Sequence, residues 1–66
     1  MDELDIVKAK RDLSKYVLKD CIGTIVTVYD KPKLAYEVEF VDSDGETIDI
    51  LTVEKVDLLL KQKIAK

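Results

Sequence analysis

Residues 34–41, LAYEVEFV, alternate two kinds of side chain. Leu34, Tyr36, Val38 and Phe40 fall on one side of an extended chain, and Ala35, Glu37, Glu39 and Val41 on the other. Period-two patterning over such a run predicts a half-buried strand. The turn formers Asp42, Ser43, Asp44 and Gly45 follow, and residues 46–53 (ETIDILTV) read as a second strand. Loop length then decides which side chains share the core. A two-residue Asp44-Gly45 turn sets Val41 opposite Ile48 and Glu39 opposite Ile50, mixing acids with apolar groups. A three-residue loop of Ser43, Asp44 and Gly45, with Gly45 in the left-handed conformation, pairs Phe40 with Ile48 and Val38 with Ile50. The second register is expected, because a slip by one residue turns the apolar side to water.

That register has an electrostatic consequence. It places Glu39 opposite Asp49, with Glu37 next along the same outward side, and like charges so placed cost a few tenths to about 1 kcal/mol per pair. Ala35, Leu51 and Val53 fall on this side too. Residues 34–54 hold seven acids and no Lys or Arg. Residues 1–33 hold seven bases against six acids (+1), and residues 34–66 four against eight (−4), which together give the net charge of −3. An acidic strip of Glu37, Glu39 and Asp49 with Leu51 at its apolar end is therefore a candidate docking surface for a basic protein partner. The plain alternative is a solvated outer face. Such a charge distribution disfavours nucleic acid and anionic membrane surfaces, whose binding rests on Lys and Arg.

Elsewhere the chain continues the β pattern. Residues 22–29 (IGTIVTVY) are rich in β-branched side chains and end at Asp30-Lys31-Pro32-Lys33, so they read as a strand followed by a turn. Residues 4–9 (LDIVKA) read as a short first strand. Residues 10–21 then form a polar loop with an apolar knot at Tyr16, Val17 and Leu18. Residues 54–56 suit one helical turn before a closing strand at 57–60, although Val56, Leu59, Leu60 and Ile64 also have the spacing of an amphipathic C-terminal helix. Three consecutive leucines, Leu58, Leu59 and Leu60, cannot all enter one core from a strand, so at least one should face a second copy or another protein. Short strands, a long first loop and tight later turns predict an all-β fold, a small barrel of about five antiparallel strands whose closure would remove exposed edges. With 66 residues the chain is read as a single domain with its core at about 4–60 and a tail at 61–66.

Chemistry is sparse. The chain has no His and one Cys, so no internal disulfide and no Cys/His zinc pattern is available, and Cys21 has no imidazole to activate it. Neither Ser14 nor Ser43 sits in a nucleophile motif, so an enzyme is not expected, nor a cofactor. Asp42, Asp44 and Glu46 alternate through the turn like the start of a calcium loop. The rest of the ligand set is missing, and these are ordinary hairpin residues. Lys10, Arg11, Lys15 and Lys19 make the first loop basic, read as a solvated loop that partly neutralises the acidic face. The three acids within residues 1–5 precede no apolar run, so neither a signal peptide nor a membrane span is expected. A lone Cys suits a reducing cytoplasm.

The runs G-T-I-V-T-V-Y at 23–29, A-Y-E-V-E-F-V-D at 35–42, D-G-E-T-I at 44–48 and L-T-V at 51–53 resemble a family of small bacterial proteins defined only as a domain of unknown function. Its members share a G-T-V-V-x-V-Y strand and an A-Y-E-V-E-F-V core. The resemblance spans residues 6–60. Where relatives tend to place a Gly before the Gly-Thr strand, this chain has Asp20-Cys21. The resemblance implies an SH3-like barrel without known catalytic residues or ligand. It also implies a place beside toxin genes, and so an antitoxin or immunity role. A second reading is a small structural or regulatory subunit that self-associates or joins a larger complex through Leu58, Leu59 and Leu60.

Overall fold

The computed structural model describes residues 1–63. Five strands alternate with turns: β1 (Ile6–Ala9), β2 (Ile22–Tyr29), β3 (Ala35–Val41), β4 (Thr47–Val53) and β5 (Leu58–Gln62), with one 3-10 turn at Lys55–Asp57 ahead of β5. The fold is all-β, with every pairing antiparallel, in the order β4-β3-β2-β1-β5. β4 and β5 do not pair with each other, so the sheet is open where closure was expected. Its two edges carry opposite charge, Lys61 on β5 and Asp49 on β4, which disfavours pairing of like edges.

Residues 58–62 form a strand rather than the alternative helix, because β1 offers them a ladder: Val7 pairs with Leu60, Lys8 with Leu59 and Ala9 with Leu58. Ile64, which completed the helical spacing, lies outside the described residues. So does the second half of the expected tail, residues 64–66, while Lys61 and Gln62 belong to β5 and Lys63 follows them. At the other end β1 starts at Ile6 rather than residue 4. Leu4 has a left-handed backbone (φ 72°) and donates its N–H to the Ile25 carbonyl, which takes it off the regular ladder.

The core lies on one side of the sheet. It comprises Val7, Ala9, Ile25, Tyr36, Val38, Phe40, Val53 and Leu58, covered at one end by Val17 from the first loop. Val17 is held there by its N–H donating to Ser14 Oγ (3.0 Å) and by its carbonyl accepting from Leu13 N–H (2.8 Å). Its neighbours Tyr16 and Leu18 point outward, so only the centre of the apolar knot enters the core. Leu34, expected inward with Tyr36, precedes β3 and is exposed. Gly23 is the other packing constraint. A Cβ there would lie 2.5 Å from Val38 Cγ1 and 2.9 Å from Phe40 Cδ1, so β2 passes β3 at a distance that no larger residue fits without displacement.

The hairpin loop is the expected three-residue one. Asp42 N–H donates to the Glu46 carbonyl (2.9 Å), Gly45 N–H to the Asp42 carbonyl (3.0 Å), and Gly45 has φ 83°. Val41 accordingly faces Thr47. One step further, the expected register fails. A bulge makes Phe40 face Asp49, Glu39 face Ile50, Val38 face Leu51 and Tyr36 face Val53. The extra residue is Ile48, which still packs on the core, and beyond it every β4 side chain changes sides. Leu51 and Val53 therefore face inward, Ile50 faces out, and the expected pairs Phe40 with Ile48 and Val38 with Ile50 are not formed. Packing gives the reason: Val53 is buried and Leu51 lies against the core, at the cost of one exposed isoleucine.

Candidate functional site

The outward side of β2, β3 and β4 is built in rows across the strands. One row runs Thr24, Glu39, Ile50 and the next Thr27, Glu37, Thr52, with Tyr29 opposite Ala35 at the end of the sheet. The rows follow from strand alternation in β3, which buries Tyr36, Val38 and Phe40 and leaves Glu37 and Glu39 half-exposed. A second bulge, between Ile25 and Thr27 on β2, keeps Ile25 inside and brings Thr27 into line with Glu37.

Two of the expected strip residues are brought together here and two are not. Glu37 and Glu39 share the outward side, separated by one inward residue. Asp49 does not oppose Glu39. It stands in register with Phe40, and its carboxylate turns back on its own strand, Oδ1 accepting the Ile50 N–H at 2.8 Å. Leu51 packs against the core and is no part of the outer face. Ile50, assigned to the core by the sequence reading, is 50% exposed beside Glu39. Its outward position has a sequence signal in hindsight: Ile48, Leu51 and Val53 are spaced three and two apart, a broken period that marks a bulge.

Neutral donors hold the two glutamates. Tyr29 O–H donates to Glu37 Oε1 (3.0 Å), and the Thr47 hydroxyl donates to Glu39 Oε2. The Glu37 carboxylate pushes the Tyr29 phenol above its ordinary value, first by accepting that hydrogen bond and then by its negative charge. Among the described residues no Lys or Arg comes within ion-pair distance of Glu37, Glu39 or Asp49. The ion pairs lie elsewhere: Lys8 with Asp20, Arg11 with Asp57, Lys33 with Glu54, and Lys63 with Asp2 and Asp5. Among the described residues the basic first loop makes no ion pair with the sheet face. Arg11 instead reaches the 3-10 turn, where the nearly buried Asp57 carboxylate accepts from Arg11 Nη2 (2.9 Å) and from Glu54 N–H (3.0 Å).

The acids of the hairpin have a structural task. Asp42 Oδ1 accepts the Asp44 N–H (2.9 Å) and the Glu46 N–H (3.0 Å), which fixes the turn. Near this turn an open groove of about 410 Å³ runs between the first loop and the β3-β4 hairpin, with Tyr16, Leu18, Cys21, Ile22, Val41 and Ile48 among its walls. Sequence reasoning missed it, since its walls come from segments far apart in the chain. Cys21 is half-buried in it, and burial, followed by the nearby Asp42 charge, raises its thiol above the ordinary value. Leu59 and Leu60 of β5 are 44% and 47% exposed while Leu58 is buried, which bears out the expectation that the three leucines cannot all turn inward.

No helix among the described residues is long and apolar enough to cross a membrane. Residues 3–60 match the family model described as Domain of unknown function (DUF4926). No curated protein and no solved structure matches the chain.

Proposed function

The chain belongs to this family of unknown function, and we propose that it is a non-enzymatic interaction module that docks a basic protein partner on the outward side of β2, β3 and β4. The observation that carries this reading is the pairing of Glu37 and Glu39, two ordered carboxylates without a cationic neighbour among the described residues, with exposed Ile50 in the adjacent position. Carboxylates held by neutral hydroxyls keep their full charge for a partner. They are also already oriented, which reduces the entropy lost on binding. Ile50 supplies an apolar centre, worth roughly 1.5–3 kcal/mol if fully covered. One form of this reading is neutralisation of a basic, nucleic-acid-cleaving toxin in the cytoplasm, a setting supported by the free thiol of Cys21. The strand order and the 3-10 turn ahead of β5 support an SH3-like arrangement opened between β4 and β5, although a fold of that kind does not specify a ligand.

Capture on the immobilised full chain tests the proposal, with a Glu37→Lys/Glu39→Lys variant in parallel. The expected result is a principal partner with a basic surface, released by salt from the parent chain and absent from the variant, while circular dichroism shows the variant folded. Retention of the same partner by the folded variant, or capture of an acidic partner alone, refutes it.

A further inference from the structure

The sheet ends in two unlike edges. On the β4 side, residues 46–54 carry three acids, Glu46, Asp49 and Glu54, and no base; on the β5 side, residues 58–63 carry two bases, Lys61 and Lys63, and no acid. Part of this charge is already paired, Glu54 with Lys33 and Lys63 with Asp2. Glu46 and Asp49 on one edge and Lys61 on the other make no ion pair among the described residues. Each edge also exposes a large apolar side chain on the outward side of the sheet: Ile50 on β4, beside Glu39 of β3, and Leu59 on β5, beside Lys8 of β1.

Like edges repel. Two β4 edges would bring acid to acid, and two β5 edges base to base. Any two edges can pair backbone to backbone, but only unlike edges add opposite charge, with an aliphatic on the outward side of each, Ile50 on β4 and Leu59 on β5. We propose that this chain associates with further copies of itself head to tail, β4 of one copy adding to β5 of the next, with Ile50 against Leu59. In that arrangement an outward row reads Lys8 and Leu59 of one copy, then Ile50 and Glu39 of its neighbour, an apolar pair flanked by opposite charges. Each copy offers one edge of each kind, so the contact repeats, and the assembly either closes into a ring or grows as an open row. A five-residue edge covers less surface than a stable dimer needs, so association is weak and strongly concentration-dependent. This proposal stands apart from docking of a basic partner, because it rests on the strand edges and not on Glu37.

Two edge variants test it by sedimentation equilibrium of the full chain over a wide range of concentration. Ile50→Lys disables the β4 edge and Leu59→Asp the β5 edge; both positions are about half exposed, and circular dichroism checks that each variant is folded. The parent chain is expected to exceed the dimer mass reversibly at high concentration, while each variant alone stays monomeric. An equimolar mixture of the two variants should form a one-to-one pair and nothing larger, since it contains one intact β4 edge and one intact β5 edge per pair. A parent chain that is monomeric throughout overturns the proposal. So does self-association of either folded variant, which would signify like-edge pairing, or a mixture that stays monomeric.

Discussion

Replacing Gly23 by Ala is the most direct test of how closely β2 and β3 approach. A Cβ on Gly23 would sit 2.5 Å from Val38 Cγ1, 2.9 Å from Phe40 Cδ1 and 3.1 Å from the Glu39 carbonyl oxygen. Carbon atoms in contact ordinarily stand about 3.5–4.0 Å apart, so the first contact is too short by about 1.0–1.5 Å, and something must shift. Val38 and Phe40 are both fully buried, and Val38 is β-branched with little rotamer freedom, so neither has solvent to retreat into. Overpacking of this kind costs about 1–3 kcal/mol. Two contacts under 3.0 Å put this site at the upper end of that range, and after Ala regains roughly 0.5–1 kcal/mol through the smaller entropy of the unfolded chain a net loss of about 2 kcal/mol remains. In a domain of this size each kcal/mol shifts Tm by about 4–8 °C. Urea denaturation followed by circular dichroism gives the free energy. The same measurement on Val38→Ala and on the double variant isolates the clash, because removing Cγ1 should make the double loss smaller than the sum of the single losses by about 1 kcal/mol. An unchanged midpoint for Gly23→Ala, or strict additivity in the double variant, refutes the close approach.

Two further outcomes follow from the backbone and the outer face. Asp20 holds a left-handed backbone (φ 73°), a conformation that costs an ordinary L-residue about 1–2 kcal/mol and glycine almost nothing, whereas its exposed pair with Lys8 (3.6 Å) is worth no more than a few tenths. Asp20→Gly should therefore raise stability by about 0.5–1 kcal/mol in urea, and a loss of that size would show that the carboxylate matters more than the strain. Ring-carbon NMR should show Tyr29 titrating above its ordinary 10.0, and Glu37→Gln should return it toward that value. The sign follows from linkage: the raised folded-state value means that the Tyr29 hydrogen bond contributes fully below pH 10.0 and is lost as pH rises through the folded-state value. A Tyr29 titration insensitive to Glu37→Gln would remove the hydrogen bond from the outer face.

Local signals carried far in this chain. The β-branched run at Ile22–Tyr29 has the bounds expected for it, because strand propensity and the Asp-Lys-Pro-Lys breaker act within a few residues of one another. Gly45 took the left-handed position and set a three-residue loop, again a local matter of turn chemistry. Local signals do not specify how a second strand aligns over several residues. The bulge at Ile48 costs one unpaired ladder position and is decided by whether Leu51 and Val53 or Ile50 fill the space beside Val38 and Tyr36. That competition depends on the shape of the core, to which β1, β5 and the first loop all contribute. The choice between helix and strand at residues 58–62 was equally non-local, because the spacing suited both and only the free edge of β1 favoured the strand.

The bulge also reorganises what the outer face can do. Had β4 kept its loop-set register, Asp49 would have faced Glu39, Leu51 and Val53 would have been exposed, and the acids would have repelled one another across the ladder. With the extra residue, β4 turns its carboxylate aside to the backbone and offers Ile50 beside Glu39 instead. The face exchanges a like-charge pair for an acid next to an aliphatic, a combination that a basic partner and a neighbouring copy can each use. Ile50 lies on both proposed surfaces, so the two modes of association compete for it. A partner covering Glu37, Glu39 and Ile50 blocks the β4 edge, and added partner should dissociate the self-assembly. Reversal of Glu37 alone separates the two, because it weakens the attraction for a basic partner while leaving Ile50, Glu39 and Leu59 in place.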